Sequence, residues 1–216
     1  MKCIFLDLEM NNVSKEFKAE RKTCLQEIIE FGAVCLDETN NEISTFQSYV
    51  RPDYNTEVAA DITKLTGIET SQVKEADRFA DVFERFLDWC GSGYEIYSWS
   101  DSDPMQLQRE MSLKNIAPTP RTVYMFMQWS DLQKTFDDLF FCERRIGLKM
   151  AIANAGLSFR GKMHSALGDA TATADIYREM KQGKSLKKIN DMLNGAKKPL
   201  TTNLGELLNG LSLQTA

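Results

Sequence analysis

The 216-residue sequence lacks the features by which several classes of protein are recognised. Its five cysteines are odd in number, widely spaced and free of any Cys-x-x-Cys pair, which argues against a disulfide framework and against a zinc knuckle. No segment approaches the roughly 18 consecutive apolar residues that a membrane-spanning helix needs, and no cationic segment followed by an apolar core opens the chain. We therefore expect a reduced, cytoplasmic protein that has no membrane partner.

The sequence also lacks an excess of positive charge. With 26 Lys and Arg against 31 Asp and Glu, its formal net charge is −5, which by itself disfavours a nucleic-acid partner. The two signs are unevenly distributed, because acidic residues predominate over 1–141 and basic residues over 142–198. The default interpretation is that the basic residues lie on solvated helix faces. A basic flank beside an acidic metal site would, however, suit a polyanionic substrate.

The pattern of apolar residues predicts an α/β fold. Three strands come first, over residues 3–9, "EIIEFGAVCLD" and "EISTFQSYV", and are followed by a helix over "SQVKEADRFADVFERFLDWC" and a strand over "YEIYSWS". A helix over "DPMQLQREMSLKN", a weaker strand near "TVYMFMQ" and helical segments around 131–142, 147–156 and 165–181 complete the order. This order indicates a mixed sheet whose first strand is central, with helices packed on its faces.

Length and composition indicate one domain with an extension. A chain of this length with 43% hydrophobic content can form one well-buried domain and is too short for two ordinary ones. We assign the domain to residues 1–181, and a basic helical extension with a leucine-containing C-terminal tail to residues 182–216. We expect the tail to dock on its own domain, and contact with a partner or a second copy of the chain is the alternative. Its leucines share one helical face: Leu204, Leu207, Leu208 and Leu211.

Two carboxylates lie at the end of the first predicted strand. The stretch "CIFLDLE" is apolar on both alternating faces, which predicts a strand covered on both sides, yet it contains Asp7 and Glu9. Residues i and i+2 of a strand point to the same side, so each carboxylate would raise the proton affinity of the other unless a cation lay between them. Because open α/β sheets bind ligands at the carboxyl ends of strands, we interpret Asp7 and Glu9 as half of a metal site.

The single histidine of the sequence, His164, stands five residues before Asp169. In a continuous helix a step of five residues turns by about 500°, so the two side chains converge only if His164 lies just before the helix. Ser165 belongs to the residue types that cap helix N-termini, which supports such a break. Considered alone, Asp169 would be an ordinary first-turn carboxylate and His164 a loop residue.

Together, Asp7-x-Glu9, an aspartate at 101 or 103, and His164-x4-Asp169 resemble the DEDDh branch of the DnaQ-like 3′-to-5′ exonucleases. Over residues 1–180, "LDLEM" is similar to the first motif of that family, "QEIIEFGAV" to its second strand and "ITKLTGI" to the segment near the 3′ end of the substrate. "YVRPDYNTEVAADITKLTGI" with "SWSDSDPMQL" is most similar to the histone-mRNA and sporulation-inhibitor-like exonucleases. The resemblance implies a ribonuclease H-like three-layer fold, with a mixed five-stranded sheet and helices on both faces.

Two residues are candidates for the middle aspartate of the family. That aspartate precedes a helix and has an apolar residue four positions later, which fits Asp103 with Leu107, whereas Asp101 would place Met105 there. Asp103, followed by Pro104, would also cap the helix, and a capping carboxylate keeps a second oxygen for other partners. We favour Asp103 and keep Asp101 as the alternative.

The resemblance implies hydrolysis of phosphodiester bonds with two metal ions. Asp7, Glu9, Asp103 and Asp169 would bind two Mg²⁺ ions, for which Mn²⁺ is an expected substitute, and His164 would accept the proton of the attacking water. The expected substrates are the 3′ ends of single-stranded nucleic acid, with RNA favoured over DNA, and the expected products are 5′-mononucleotides. The alternatives are a DNA-trimming or proofreading exonuclease of the same fold and a catalytically silent nucleic-acid-binding scaffold.

Four further residues are candidates for contacts with the terminal nucleotide. Unpaired bases stack on apolar and aromatic side chains, which suggests Met10, Leu65 and Trp99, together with Thr66 beside Leu65. Core packing is an equally good assignment for Met10, Leu65 and Trp99. Thr66 could equally be a turn residue before Gly67.

Overall fold

The structure of the protein is a computed structural model that describes residues 1–140, 142 and 144–182. Its sheet consists of β1 (Lys2–Asn12), β2 (Gln26–Leu36), β3 (Glu42–Tyr49), β4 (Tyr94–Ser98) and β5 (Trp129–Asp131). The strand order is β3-β2-β1-β4-β5. The first three strands pair antiparallel, whereas β1 with β4 and β4 with β5 pair parallel. The prediction of a mixed five-stranded sheet with a central first strand is confirmed.

Nine helices connect and cover the strands within the described part of the chain. The helical segments predicted for "DPMQLQREMSLKN" and for the three stretches after residue 130 are confirmed as α5, α7, α8 and α9 of the following list. The helices are α1 (Glu20–Thr23), α2 (Ala60–Thr66), α3 (Thr70–Lys74), α4 (Phe79–Cys90), α5 (Ser102–Leu113), α6 (Pro120–Met127), α7 (Leu132–Leu139), α8 (Leu148–Ala155) and α9 (Ala166–Gln182).

The side chains of β1 alternate between two hydrophobic cores. Ile4, Leu6 and Leu8 belong to the core that α4, α5 and α6 cover, whereas Cys3 and Phe5 belong to the core under α7, α8 and α9. All five side chains are buried. The sheet therefore lies between two helical layers, which confirms the predicted three-layer α/β fold and explains why the strand is apolar on both faces.

One predicted helix is divided in the structure. The apolar pattern over 71–90 predicts a single helix, but α3 ends at Lys74 and α4 begins at Phe79. Between them the carbonyl of Asp77 accepts a hydrogen bond from the backbone N–H of Arg51 (2.8 Å). Backbone pairing with a distant segment replaces helical hydrogen bonds at this point, and local periodicity contains no sign of it.

The strand predicted near "TVYMFMQ" is wrong, because this segment forms α6 and the strand β5 follows it. The side chain of Thr119 accepts a hydrogen bond from the N–H of Thr122, whose hydroxyl accepts one from the N–H of Thr119 (2.8 Å). This capping box, with Pro120 at the first helical position, outweighs the β-branched and aromatic content of the segment.

The described residues end at Gln182. The rest of the predicted extension and tail lies outside them, together with the four leucines Leu204, Leu207, Leu208 and Leu211. None of the helices in the described ranges combines the length and the hydropathy that crossing a membrane requires.

Candidate active site

The second half of β1 carries the first two candidate ligands. Asp7 and Glu9 lie on the same face of the sheet, two residues apart. In the ladder with β2, Asp7 is opposite Gly32 and Glu9 is opposite Glu30, and the register shifts between Glu9 and Met10. This irregularity interrupts the regular pairing just after the two carboxylates, as β-bulges near active sites do.

Helix α9 approaches the sheet closely at Gly32. A Cβ atom at this position would overlap the backbone of Ala166 and Leu167, so only glycine lets the first turn of α9 rest on β2. The approach brings Asp169 beside the two carboxylates of β1. One oxygen of each of these three carboxylates lies within 4.8 Å of the other two.

His164 lies two residues before the start of α9, outside the helix, as convergence with Asp169 requires. Its backbone is in the left-handed region, with φ of 59°, and its N–H donates a hydrogen bond to Oδ1 of Asp169 (3.2 Å). The Oγ of Ser165 accepts a hydrogen bond from the N–H of Gly168 (3.2 Å), as expected of an N-cap residue. His164 itself is exposed, so its imidazole is accessible to solvent next to the carboxylates.

Asp103 lies at the second position of α5, so its assignment as N-cap residue is wrong. The helix begins two residues earlier than this assignment requires, at Ser102 instead of Pro104, and Asp101 occupies the N-cap position. Asp103 is 5% exposed, and its Oδ1 accepts a hydrogen bond from the N–H of Leu8 (3.2 Å). The side chain of Asp101 is 66% exposed and lies 3.8 Å from Arg145. The structure therefore brings Asp103 to the acidic cluster and leaves Asp101 at the surface.

Burial and mutual repulsion raise the pKa of each carboxyl group in the cluster. Burial is the largest cause for Asp7, whose pKa lies well above its ordinary value and is raised further by the neighbouring carboxylates. Burial, followed by the same repulsion, raises the pKa of Glu9 to about 8. Burial also raises the pKa of Asp103 to about 7. For Asp169, burial raises the pKa, while the N–H and the charge of His164 oppose that change.

These carboxylates fit a site for divalent cations. They are hard oxygen donors, which Mg²⁺ prefers, and a positive ion would offset both their repulsion and the desolvation that raises their pKa values. Asp103 lies outside the group whose oxygens approach within 4.8 Å. It is held next to that group by its hydrogen bond to the backbone of β1.

Two candidate substrate-binding residues lie on α2. Leu65 is 50% exposed and is therefore available for contact with a ligand. Thr66 is buried, and its hydroxyl donates a hydrogen bond to the carbonyl of Ile62 (2.9 Å) and accepts one from the N–H of Ile68 (3.0 Å). These bonds give Thr66 a part in ending the helix.

The other two candidates contact the hydrophobic cores. Met10 is partly buried and packs against the core that α4 covers. Trp99 is buried in the core beneath α7, where its ring contacts Phe136 and its indole N–H donates a hydrogen bond to the carbonyl of Ile146 (3.1 Å). These contacts favour the packing assignment for Trp99.

Sequence reasoning missed two buried polar residues beside the site. The amide of Asn11 donates hydrogen bonds to the carbonyls of Asn55 (3.2 Å) and Glu57 (2.9 Å) and accepts one from the N–H of Ala59 (3.1 Å). Asn11 thereby fixes the segment that leads into α2. Glu30 is a buried carboxylate of β2 opposite Glu9. The signal that could have found Glu30 is an acidic residue inside an apolar strand, which is costly without a partner.

Comparison with known families decides what the fold and the acidic cluster belong to. The family model described as "Exonuclease" (RNase_T) matches residues 4–177. The chain belongs to this exonuclease family. The matched range includes every residue proposed above as a ligand, base or substrate contact. The family match therefore covers the described part of the chain almost from end to end.

Curated relatives match most of the chain. The "3′-5′ exoribonuclease 1" of Rattus norvegicus is 30% identical over 183 residues, which is 79% of this chain and 51% of the relative. The "ERI1 exoribonuclease 2" of Homo sapiens is 30% identical over 211 residues, which is 87% of this chain and 30% of the relative. The chain thus spans about half of the first relative and less of the second.

Solved structures share its fold. The nuclease domain of 3′hExo, a DEDDh family member bound to rAMP, has a TM-score of 0.74 at 26% identity, covering 86% of this chain and 94% of that one. A structure of 3′-end specific recognition of histone mRNA stem-loop by 3′-exonuclease has a TM-score of 0.73 at 25% identity, covering 85% and 83%. The predicted relationship to DEDDh exonucleases, and within them to the histone-mRNA exonuclease, is confirmed.

Proposed function

We propose that the protein is a metal-dependent 3′-to-5′ exonuclease that hydrolyses the phosphodiester bonds of single-stranded RNA and releases 5′-mononucleotides. The observation that carries the proposal is the meeting of Asp7, Glu9 and Asp169, with one oxygen of each within 4.8 Å of the others, beside the buried Asp103. Buried carboxylates that repel one another destabilise a fold unless a cation binds between them. The arrangement is therefore suited to binding divalent cations.

The four carboxylates are the proposed holders of two Mg²⁺ ions, with Mn²⁺ as a substitute. Their donor atoms are all carboxylate oxygens, which match the preference of both ions. When bound, such ions lower the pKa of a water nucleophile and stabilise charge on the phosphoryl and leaving oxygens. Asp7 and Glu9 are held by the central strand, Asp103 by its hydrogen bond to Leu8 and Asp169 by α9, so the ligand set is built on rigid elements.

His164 is the proposed general base. It lies next to Asp169 at the start of α9 and is exposed, so an attacking water can approach its imidazole. A histidine has an unperturbed pKa of about 6.5, which suits it to accept a proton at a ring nitrogen near neutral pH. Leu65 is the proposed apolar contact of the terminal nucleotide, and Met10 and Thr66 are further candidates, whereas the contacts of Trp99 favour a packing role.

The preference for RNA is supported by the relatives. Those that match the chain at 30% identity are named exoribonucleases, and the 3′hExo nuclease domain is bound to rAMP. A DNA-trimming exonuclease and a silent nucleic-acid-binding scaffold on the same fold are the alternatives that an experiment must separate.

The test is degradation of a 5′-labelled single-stranded RNA and of a DNA of the same base sequence. The proposal expects a descending ladder on RNA with Mg²⁺, no reaction in chelator and a slower reaction with a 3′-phosphate. Faster degradation of DNA would favour the trimming enzyme, and binding without cleavage would favour the scaffold. Internal cleavage, or cleavage that persists in chelator, would overturn the mechanism.

The domain limits and the cellular location are also proposals. Residues 1–181 are the proposed catalytic domain, and residues 182–216 the proposed docking or partner-binding extension. The widely spaced cysteines are suited to a reducing compartment, which supports a cytoplasmic location. Cell fractionation and a chain truncated after residue 181 test these two proposals separately.

A further inference from the structure

Glu30 is a buried carboxylate that the proposed mechanism does not use. It is 1% exposed and lies in the middle of β2, in the sheet position opposite Glu9. Both of its oxygens have partners. Oε2 accepts a hydrogen bond from the backbone N–H of Ala166 (3.0 Å), and Oε1 accepts one from Nε2 of Gln47 on β3 (2.7 Å). Its orientation is therefore fixed from two sides.

The bond to Ala166 has a specific structural meaning. Ala166 is the first residue of α9, and the first N–H groups of a helix have no partner within the helix. A carboxylate at this place satisfies one of these groups and also interacts favourably with the helix dipole. The N–H of Gly168, in the same turn, is satisfied locally by Ser165. Glu30 thus attaches the start of α9 to the sheet from outside the helix.

The neighbouring residue Gly32 leaves space for the same helix start. Two residues along the same strand, Gly32 leaves the space that the backbone of Ala166 and Leu167 occupies. Glu30 and Gly32 face the same side of β2. Glu30 binds the N–H of Ala166 at the helix start, and Gly32 leaves the space that the helix start occupies. Because His164 and Asp169 flank this helix start, a displacement of Ala166 would move both.

We infer that Glu30 is a positioning residue, which docks the N-terminus of α9 onto β2 and so holds His164 and Asp169 against Asp7 and Glu9. The inference rests on the proposed function for its catalytic consequence, while the docking itself rests on the hydrogen bonds. Glu30 acts through the helix start, because each of its oxygens already binds a donor of the protein.

Three substitutions test the docking. Glu30→Ala removes the acceptor and leaves the Ala166 N–H without a partner. Glu30→Gln keeps an amide oxygen for Ala166, and the exposed Gln47 can turn its own amide to match. Glu30→Asp keeps the charge but withdraws it by one methylene, which serves if the alanine variant does not fold.

A matched control removes another buried carboxylate. Glu110 on α5 is fully buried and accepts a hydrogen bond from the backbone N–H of Ile28 (2.7 Å). Its other polar neighbours are Gln106 and Lys114, which also lie away from α9. Glu110→Ala therefore also leaves a β2 N–H without its acceptor. It reports the general cost of losing such a group.

The readout that does not depend on activity is local order at the start of α9. Hydrogen exchange of the amides of residues 166–169 should accelerate in Glu30→Ala and in Glu30→Asp, return towards wild type in Glu30→Gln and stay unchanged in Glu110→Ala. The single histidine gives one imidazole resonance, which at a fixed pH should shift in the first two variants only. Wild-type exchange in both Glu30→Ala and Glu30→Asp, or an equal change in Glu110→Ala, would overturn the inference.

Kinetics then tests the consequence. In Glu30→Ala, kcat should fall by about 10- to 100-fold, the loss that small misplacements of reacting groups cause, with KM nearly unchanged and with rescue in Glu30→Gln. A wild-type enzyme without nuclease activity would reject the proposed function and leave the exchange result to decide the docking. Altered exchange with an unchanged kcat would reject the role of Glu30 in positioning.

Discussion

The backbone N–H of His164 donates a hydrogen bond to Oδ1 of Asp169 at 3.2 Å. This bond ties the proposed base to a proposed metal ligand at the start of α9. The left-handed backbone of His164 allows the contact, because a continuous helix would turn the two residues apart. Both groups therefore depend on the placement of a single helix start.

Replacement of His164 should reduce turnover with little change in metal affinity. His164→Ala should lower kcat by roughly 10²- to 10⁴-fold, the range for loss of a general base. Because alanine is strained at positive φ, His164→Asn is the better matched variant, since asparagine tolerates the left-handed region. The pH dependence of kcat is the deciding measurement. An acidic limb that is the same in wild type and in His164→Asn would show that the proton goes elsewhere.

Separate replacement of Asp103 and of Asp101 by asparagine should have opposite effects on activity. Asp103→Asn keeps an oxygen for the N–H of Leu8 but loses the anionic oxygen that a cation needs, so activity should collapse with little change in melting temperature. Asp101→Asn changes only an exposed side chain near Arg145 and should leave most activity intact. Rates on labelled RNA, with melting curves of both proteins, provide the comparison. A reversal of the two results would place the ligand two residues earlier.

Much of the site could be predicted from the sequence, because the free-energy cost of burying its carboxylates is visible in the local sequence pattern. Carboxylates in a strand that is apolar on both faces have no structural explanation, so Asp7 and Glu9 stand out from periodicity alone. The spacing of His164 and Asp169 likewise requires a break before the helix, and the structure has one.

What could not be predicted depends on contacts between distant segments. The predicted start of α5 is wrong because proline is tolerated throughout the first turn of a helix, where backbone N–H groups lack intrahelical partners. Pro104 therefore does not fix the position of the cap. The break before α4 arises from pairing with Arg51. The role of Glu30 becomes visible only when α9, more than a hundred residues later in the chain, rests on β2.

The metal-free protein should lose stability as the pH rises. Burial and repulsion raise the pKa of Glu9 from 4.5 to about 8. A raised folded-state pKa means that the stabilising contribution is fully present below the unfolded value and is lost as the pH rises through about 8. In chelator, the melting temperature should therefore fall between about pH 4.5 and pH 8, and Mg²⁺ should oppose the fall.

Glu9→Gln isolates this effect. The variant should flatten the pH dependence and melt several degrees above wild type at the alkaline end, because it removes a buried charge. Glu75→Gln, at an exposed glutamate outside the cluster, is the matched control and should follow wild type. Melting curves in chelator over this pH range suffice. Equal slopes for Glu9→Gln and wild type would show that Glu9 does not carry the repulsion.

The close approach of α9 to the sheet should make Gly32→Ala damaging out of proportion to its size. The added Cβ atom would overlap the backbone of Ala166 and Leu167, which cannot yield without a shift of α9. Such a shift would separate Asp169 from the carboxylates of β1, so activity should fall by about 100-fold or more even at temperatures well below melting. The melting temperature should also decrease.

Gly147→Ala is the matched control for this substitution. Gly147 has φ of −67°, and a Cβ atom there would meet nothing within 4 Å, so alanine should be neutral or slightly stabilising. Rates on labelled RNA at low temperature, together with melting curves, separate misplacement of α9 from simple loss of folded protein. If Gly32→Ala retained wild-type turnover, the position of the first turn of α9 would not set the geometry of the acidic cluster, and the site would have to be assembled by other contacts.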